Sequence, residues 1–417
     1  MKPKQVFSQG IELVLVLLLV TACASPKVEP CPTTASLSCP NTAALQTGLT
    51  PISSPIMSSV EVSPTLSELG VEKTLEPTKG TASTLQSTEV STPESTPQVT
   101  QLYQPKLFGF IGGSEGVAFS PNGDILAAGY YEGPVILYDT STWMPLAVLT
   151  TQIGFVNSIA FSPDGKLIAA GGGRSNPEVF GVQVWDVATQ EQLLKLDEGV
   201  NSIAFSPDGA MLATAVGNSW SGEGAAKLWD VKTGELLADL TIQGKTDQLF
   251  IHAYSDITFN PDGTLLAAIN ADGDVQLWDV ISHKEVGMMT GVSGEGHSVA
   301  FSPDGKLLAA SGSAAGYSNG IPELRLWVMD TGELVFKLDR HNAAAGKVKF
   351  SPDGKILAST SFYDSDGTVM LWNVEKGEVL ATIDVPGASD VAFNPNGTLL
   401  ATAGWADGIR LWEVPPH

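Results

Sequence analysis

Apolar and polar positions recur in one order seven times along the chain. A short apolar stretch that ends in phenylalanine leads into Ser/Asn-Pro-Asp/Asn-Gly, and a second apolar stretch follows, as in residues 298–310. Proline sets φ at the first corner of a turn, and glycine accepts positive φ at its end. The pattern therefore predicts seven β-hairpins, which carry Phe119, Phe161, Phe205, Phe259, Phe301, Phe350 and Phe393.

Two more strands are predicted after each hairpin. Apolar and polar residues alternate in the third, as in Val275-Gln276-Leu277-Trp278, and a turn such as Thr233-Gly234-Glu235 leads to the fourth. Successive hairpin phenylalanines lie 42 to 54 residues apart. Four strands in such a period are typical of one β-propeller blade. The third strands carry aromatic residues that we expect to be structural: Tyr138, Trp185, Trp229, Trp278, Trp327, Trp372 and Trp412.

The repeated turn and the tryptophan-aspartate pairs, such as Trp185-Asp186, resemble those of the WD-repeat β-propeller family. The resemblance covers residues 105–417 and implies an all-β fold of seven four-stranded antiparallel blades. The family's Gly-His pair is plain only at Gly296-His297, so its buried His–Ser/Thr–Asp–Trp network should be incomplete in most blades. Three residues hold the family's turn-aspartate position, where we expect them to brace a tight turn: Asp272, Asp366 and Asp407.

The seventh unit ends just after its third strand and lacks a fourth. Residues 107–111 form a spare apolar strand ahead of the first unit. We expect this strand to pair with the last blade, which would close the ring and cover its exposed edge. The predicted propeller therefore spans residues 105–417.

The first 104 residues predict a leader and a stalk. Two lysines precede an apolar run at residues 13–20, which suits a signal peptide of residues 1–22. Val20-Thr21-Ala22-Cys23 resembles the lipobox of bacterial lipoproteins, which implies that Cys23 carries a lipid with fatty-acid chains. The implied localisation is extracytoplasmic, anchored to the cell membrane or the outer membrane. An ordinary signal peptide is the alternative.

Residues 23–104 are rich in Ser, Thr and Pro, which predicts a disordered stalk because such a composition cannot bury enough apolar surface. Cys31 and Cys39 are the other cysteines, and in an oxidising compartment they could close a disulfide loop.

The charge of the chain excludes some ligand classes. The formal net charge is −23. Binding of nucleic acid needs a basic surface that displaces counterions, so no nucleic acid is expected as a partner. An anionic lipid surface would also repel the chain, which leaves the N-terminal lipid as its contact with the membrane.

The loops predict one variable face and one uniform face. We call one face of the disc the variable face, because the loops between the second and third strands and the connections between blades differ in length there. The opposite face carries the Pro-Asp/Asn-Gly turns and the turns between the third and fourth strands, and we call it the uniform face. Binding residues concentrate on variable loops of rigid scaffolds. The candidate binding aromatics are Tyr131, Phe180, Trp220, Phe250, Tyr254, Tyr317, Tyr363 and Trp405, and packing against a neighbouring blade is the alternative role for each.

Signals of catalysis are weak. Gly316-Tyr317-Ser318-Asn319-Gly320 matches a nucleophile-elbow pattern, but it lies between predicted strands where the elbow needs a strand and a helix. The five histidines are scattered, and neither a metal site nor a cofactor is expected. The resemblance implies a monomeric, non-catalytic scaffold that binds a protein or peptide. The alternatives are a glycan-binding protein and, with a metal held by carboxylates and histidine in the central channel, a propeller hydrolase or lactonase.

Overall fold

The computed structural model describes the propeller and none of the first 100 residues. The described residues are 101–103, 114–131, 133–173, 180–218, 223–240, 253–314, 321–361, 367–405 and 408–416. Every described residue belongs to one compact unit, residues 87–417. None of the described residues forms a helix with the length and apolarity needed to cross a bilayer.

The described residues form seven four-stranded antiparallel sheets, which confirms the predicted all-β, seven-bladed propeller. Blade 1 contains β2 (Ser114–Phe119), β3 (Ile125–Tyr130), β4 (Val135–Asp139) and β5 (Pro145–Leu149). Blade 2 contains β6 (Val156–Phe161), β7 (Leu167–Gly172), β8 (Gly181–Asp186) and β9 (Gln192–Leu196). Blade 3 contains β10 (Ser202–Phe205), β11 (Met211–Asn218), β12 (Glu223–Asp230) and β13 (Leu236–Asp239).

The remaining blades follow the same order. Blade 4 contains β14 (Tyr254–Phe259), β15 (Leu265–Asn270), β16 (Asp274–Asp279) and β17 (Lys284–Thr290). Blade 5 contains β18 (Glu295–Phe301), β19 (Leu307–Ala314), β20 (Ile321–Val328) and β21 (Leu334–Lys337). Blade 6 contains β22 (Ala345–Phe350), β23 (Ile356–Ser361), β24 (Thr368–Asn373) and β25 (Glu378–Asp384). Blade 7 contains β26 (Ala388–Phe393), β27 (Leu399–Gly404), β28 (Gly408–Glu413) and β1 (Gln101–Tyr103).

An N-terminal strand closes the ring, but it is not the predicted one. β1 pairs with β28, with Gln101 opposite Trp412. The predicted strand at residues 107–111 lies outside the described residues, and the propeller already includes Gln101, four residues before the predicted boundary at 105. A strand of three residues has too little periodicity to stand out from the polar segment before it.

The hydrophobic core lies between neighbouring blades. One buried cluster joins Leu137 of blade 1 to Ile168 and Trp185 of blade 2, and another joins Tyr138 of blade 1 to Leu411 of blade 7. Because each blade packs both faces of its sheet on its neighbours, the described core consists of seven buried clusters, one at each boundary between blades. Among the six predicted structural tryptophans, Trp229 is half-buried and the others are buried: Trp185, Trp278, Trp327, Trp372 and Trp412.

The seven repeated turns also contact one another around the uniform face. Gly123 has φ of 81°, and a β-carbon built on it would lie 3.3 Å from Cδ of Pro395 in the preceding blade. The glycine recurs because each of the seven has positive φ, a conformation that other residues rarely adopt, and each lies next to a proline of the preceding blade. The other pairs are Pro121–Gly165, Pro163–Gly209, Pro207–Gly263, Pro261–Gly305, Pro303–Gly354 and Pro352–Gly397.

Candidate functional site

The structure places the two sets of loops on opposite faces of the disc. On the uniform face, the backbone amide of Thr140 in the third-to-fourth turn of blade 1 donates to Asp124 O in the first turn, at 3.0 Å. On the variable face, Ala271 N, in the second-to-third turn of blade 4, donates to Ala253 O in the segment that enters the same blade, at 2.9 Å. In blade 4 the second-to-third turn therefore lies beside the segment that enters the blade. Most of the long loops lie outside the described residues, namely 174–179, 219–222, 241–252, 315–320 and 362–366.

Exposed aromatic side chains lie on the variable face in blades 7, 1 and 2. Trp405 is 56% exposed and lies beside Gly387. Tyr131 is 46% exposed and meets Phe155 edge to face, with ring centroids 4.0 Å apart and an angle of 88° between the rings. Phe155, at the entry to blade 2, was not predicted from the sequence. Phe180 is half-buried against Gly199.

Tyr254 does not belong to this exposed group, so its assignment to a binding surface was wrong. The residue begins β14 and its side chain is only 1% exposed. Its hydroxyl donates to Gln276 Oε1, and its ring meets that of Trp278 at a centroid distance of 5.9 Å. Burial raises the pKa of the Tyr254 hydroxyl above its ordinary value. Four other predicted aromatics lie outside the described residues: Trp220, Phe250, Tyr317 and Tyr363.

The turn that follows β15 is braced by Asn270, not by the predicted Asp272. Asn270 Oδ1 accepts the backbone amides of Asp272 at 3.0 Å and Asp274 at 2.9 Å, while Asp272 is exposed. A buried amide side chain can hold the turn without the cost of burying a charge, which explains why Asn270 and not Asp272 braces it. Asp366 and Asp407 lie outside the described residues.

A hydrogen-bond network of a histidine, a serine and a tryptophan occurs in blade 6. His341 Nε2 lies 2.6 Å from Ser359 Oγ, which also accepts from Trp372 Nε1 at 2.8 Å. His341 Nδ1 lies 3.2 Å from Thr368 Oγ1, and burial lowers the pKa of His341 to about 4. The predicted Gly-His landmark, His297, lies instead within β18, with Nδ1 2.8 Å from Ala345 O.

Asp256 joins four blades at the centre of the disc. Its Oδ1 accepts from Ser202 Oγ of blade 3 at 2.5 Å, and its Oδ2 accepts from Ser298 Oγ of blade 5 at 2.5 Å. Val299 N of blade 5 also donates to Oδ2, at 3.2 Å, and Lys347 Nζ of blade 6 lies 3.4 Å from Oδ1. Asp256 itself belongs to blade 4 and is 3% exposed.

The pKa of Asp256 lies below its ordinary value despite this burial. Burial alone raises the pKa, but the charges of Lys347 and Lys349 and the hydrogen bonds from Ser202 and Ser298 outweigh it. The carboxylate is therefore ionised and serves as a buried anionic centre for its neighbours.

Asp390 makes the corresponding contact where the ring closes. Its Oδ2 accepts from Val117 N of blade 1 at 3.0 Å, and its Oδ1 accepts from Val391 N at 2.9 Å. Burial raises the pKa of this carboxyl, and the charges of Lys349 and Lys347 only partly offset the effect.

Both aspartates occupy the same position, three residues before the hairpin phenylalanine. At this position Ser158 and Ser298 likewise accept a backbone amide of the next blade, from Ile203 and Val348, each at 3.2 Å. Aligning the seven units on phenylalanine would have set both aspartates apart, because the position is occupied by Gly116, Ser158, Ser202, Asp256, Ser298, Lys347 and Asp390. The described carboxylates of the centre thus act as links between blades. Within the described ranges, no group of three or more His, Cys, Asp or Glu is arranged to hold a metal ion.

Two protein-family models match parts of this chain. A family model described as "Eukaryotic translation initiation factor eIF2A" matches residues 114–252 and 314–412, more than half of the chain. A second, described as "WD domain, G-beta repeat", matches residues 241–279 and 292–317.

Three relatives share part of this region. Transducin beta-like protein 3 of Bos taurus is 25% identical over 170 residues, which is 38% of this chain and 20% of that protein. Protein tipD of Dictyostelium discoideum is 30% identical over 159 residues, 38% of this chain and 24% of that protein. Telomerase protein component 1 of Rattus norvegicus is 26% identical over 179 residues, 42% of this chain and 6% of that protein. The chain thus spans a quarter or less of the length of these relatives.

Proposed function

The chain belongs to the eIF2A family, here a WD-repeat β-propeller, and from that premise we propose that it is a scaffold that binds a protein or peptide partner on its variable face. WD-repeat propellers commonly bind protein partners and are generally not catalytic, which supports a scaffold. The translation role in the family's name is not part of the proposal. Acidic residues outnumber Lys and Arg by 45 to 22, which disfavours contact with RNA phosphates.

The observation that carries the proposal is the exposure of Tyr131 and Trp405 on a rigid ring. Aromatic side chains offer a large contact area with few rotatable bonds, so they lose little entropy on binding and are frequent interface anchors. The first turns of the uniform face carry no aromatic side chain, because each has the sequence Ser/Asn-Pro-Asp/Asn-Gly.

A matched pair of double variants tests the face. Tyr131→Ala with Trp405→Ala should weaken capture of the main partner by the full chain about thirtyfold or more, since truncation of an anchor costs about 2 kcal/mol. The control is Lys166→Ala with Lys306→Ala on the uniform face, where both lysines are highly exposed. Affinity is measured by titrating the captured partner against each protein. Unchanged binding by the aromatic variant, or loss in the lysine control alone, would place the site elsewhere.

The proposal includes a tethered, extracytoplasmic location. Support comes from Val20-Thr21-Ala22-Cys23 after an apolar run, and from a long Ser/Thr/Pro-rich segment that suits a spacer. Gln101 lies opposite Trp412, toward the uniform-face end of β28, so β1 begins at the end of its blade that is away from the variable face.

A fatty-acid probe fed to expressing cells tests the anchor. The wild type should be labelled, Cys23→Ala should not, and Cys31→Ala serves as the control because it changes a nearby cysteine outside the lipobox. Equal labelling of Cys23→Ala and wild type would contradict lipidation at this residue. Loss of label in both variants would show that the label depends on more than the lipobox.

A further inference from the structure

One corner of the variable face has a composition unlike the rest of this acidic chain. Tyr131, after β3, and Phe155, before β6, stand perpendicular at the boundary of blades 1 and 2. The segment that links β5 to β6 carries Thr150 and Gln152, both exposed, and no charged residue. We call Tyr131, Phe155, Thr150 and Gln152 the aromatic corner.

The backbone beneath the aromatic corner is fixed. Thr151 Oγ1 donates to Gly133 O at 3.0 Å, which ties the linking segment to the loop that carries Tyr131. Gln152 N donates to Gln183 Oε1 at 2.9 Å, which ties the same segment to blade 2. These two bonds hold the backbone of the linking segment in place before a ligand arrives, which lowers the entropy cost of binding.

We propose that the aromatic corner binds an uncharged sugar chain. The face of an aromatic ring is electronegative and attracts the polarised C–H groups of a pyranose, while a hydroxyl and an amide beside it can pair with sugar hydroxyls. The perpendicular rings present a face and an edge, which suits a ring that is apolar on one face and polar around its rim. The proposal rests on the proposed use of the variable face for binding, and it adds a second class of ligand.

The segment that links β5 to β6 suits an uncharged ligand. Residues 150–157 offer hydroxyl and amide groups and carry no charge, and Glu132, next to Tyr131, is the charged residue that adjoins the corner in sequence. An uncharged sugar chain needs no ionic partner at this segment, and the net charge of −23 does not repel it.

Saturation-transfer NMR with the full chain tests the proposal. The probes are hexasaccharides of glucose, galactose, mannose and N-acetylglucosamine, with a proline-rich neutral peptide as the competing class. At least one sugar should receive saturation at its C–H protons from the wild type, and Tyr131→Ala and Phe155→Ala should each weaken that binding about tenfold or more. Tyr131→Phe should retain it, because the ring face remains. Leu146→Ala, an exposed aliphatic residue of blade 1, is the control and should bind as wild type does.

Each outcome separates this inference from the scaffold proposal. Melting curves establish that the variants are folded, and a sugar signal that survives both alanine variants would remove the site from this corner. No signal from any sugar, or a signal from the peptide alone, would overturn the sugar ligand. In either case, continued capture of a protein through Tyr131 and Trp405 would leave the scaffold proposal standing.

Discussion

The side chain of His341 shows how one buried residue ties a blade together. Its ring contacts Ser359 and Thr368, which come from the second and third strands of blade 6, while His341 itself precedes the first strand. Because the imidazole is buried and holds both contacts without a charged partner, the folded protein keeps it neutral. The stability that this hydrogen-bond network gives to blade 6 therefore depends on the protonation of His341, and so on pH.

Acid should therefore weaken the fold through His341. Its pKa of about 4 in the folded chain lies below the ordinary value of 6.5, so the unfolded chain takes up the proton first as the pH falls. Stability contributed by the neutral ring is complete above pH 6.5 and declines toward pH 4, by about 3 kcal/mol at most for a shift of this size. Urea unfolding at intervals between pH 4 and 7 measures this decline.

The variant His341→Gln isolates that effect, since glutamine can keep a hydrogen bond but does not titrate. It should be less stable than wild type at pH 7, and its stability should fall less between pH 6.5 and 4. All other titrating groups are shared, so they cancel in the comparison. Parallel stability curves for the two proteins would show that His341 does not titrate in this range.

The sequence did not reveal this residue because its landmark is incomplete. Arg340 occupies the position where the family pattern has glycine, so the sequence indicated the intact pair Gly296-His297 and not His341. The role of Asp256 was hidden for a different reason. Its partners Ser202 and Ser298 are 54 and 42 residues away, and no local pattern encodes a contact between blades at that separation.

The first strands of the blades are joined at the centre by side chains as well as by packing. An inner strand has one unpaired edge, and an amide left unbonded there costs free energy. The side-chain oxygens of Asp390, Ser158, Asp256 and Ser298 accept such amides from the following blade. These bonds link the inner strands across four boundaries, between blades 7 and 1, 2 and 3, 4 and 5, and 5 and 6.

Removal of the two aspartates should have unequal effects. Asp256→Ala leaves Lys347, two serine hydroxyls and an amide without their acceptor, so it should cost about 3–5 kcal/mol, the range for breaking a buried ion pair. Asp390→Ala leaves the Val117 amide unbonded and should cost about 1–3 kcal/mol. Urea unfolding measures both, and Asp272→Ala is the exposed control, expected within about 0.5 kcal/mol of wild type. A larger loss for Asp390→Ala would refute this ranking.

The strands themselves were largely readable from the sequence. The Pro-Asp/Asn-Gly turn and the tryptophan landmark recur in register, so β2 to β28 follow from local chemistry repeated seven times. The closing strand β1 was misplaced because three residues carry no recognisable period. The sequence predicted which face carries the binding surface but not which aromatic residues are exposed on it. Phe155 and Tyr254 both lie five or six residues before a hairpin phenylalanine, yet Phe155 is half-buried and Tyr254 is fully buried.

At the scale of the whole molecule, three contacts add to the buried cluster of Tyr138 and Leu411 in closing the ring between blades 7 and 1. β1 covers the edge of β28, Asp390 accepts the Val117 amide, and Pro395 contacts Gly123. In a closed ring every blade has two neighbours, so loosening one boundary lowers the stability of all seven. The closure is thus a feature of the molecule and not of blade 7 alone.

A chain that begins at residue 104, and so lacks β1, should test this closure. The other two contacts remain, so the ring should still assemble, but the outer edge of β28 would be uncovered and free to pair with another chain. We expect a lower melting temperature and association that increases with protein concentration, measured by thermal unfolding and sedimentation velocity. The matched control begins at residue 98, which removes almost the same stalk but keeps β1. If both chains melt together and both stay monomeric, β1 contributes nothing to closure, and the Tyr138–Leu411 cluster with the contacts of Asp390 and Pro395 must be sufficient to hold blades 7 and 1 together.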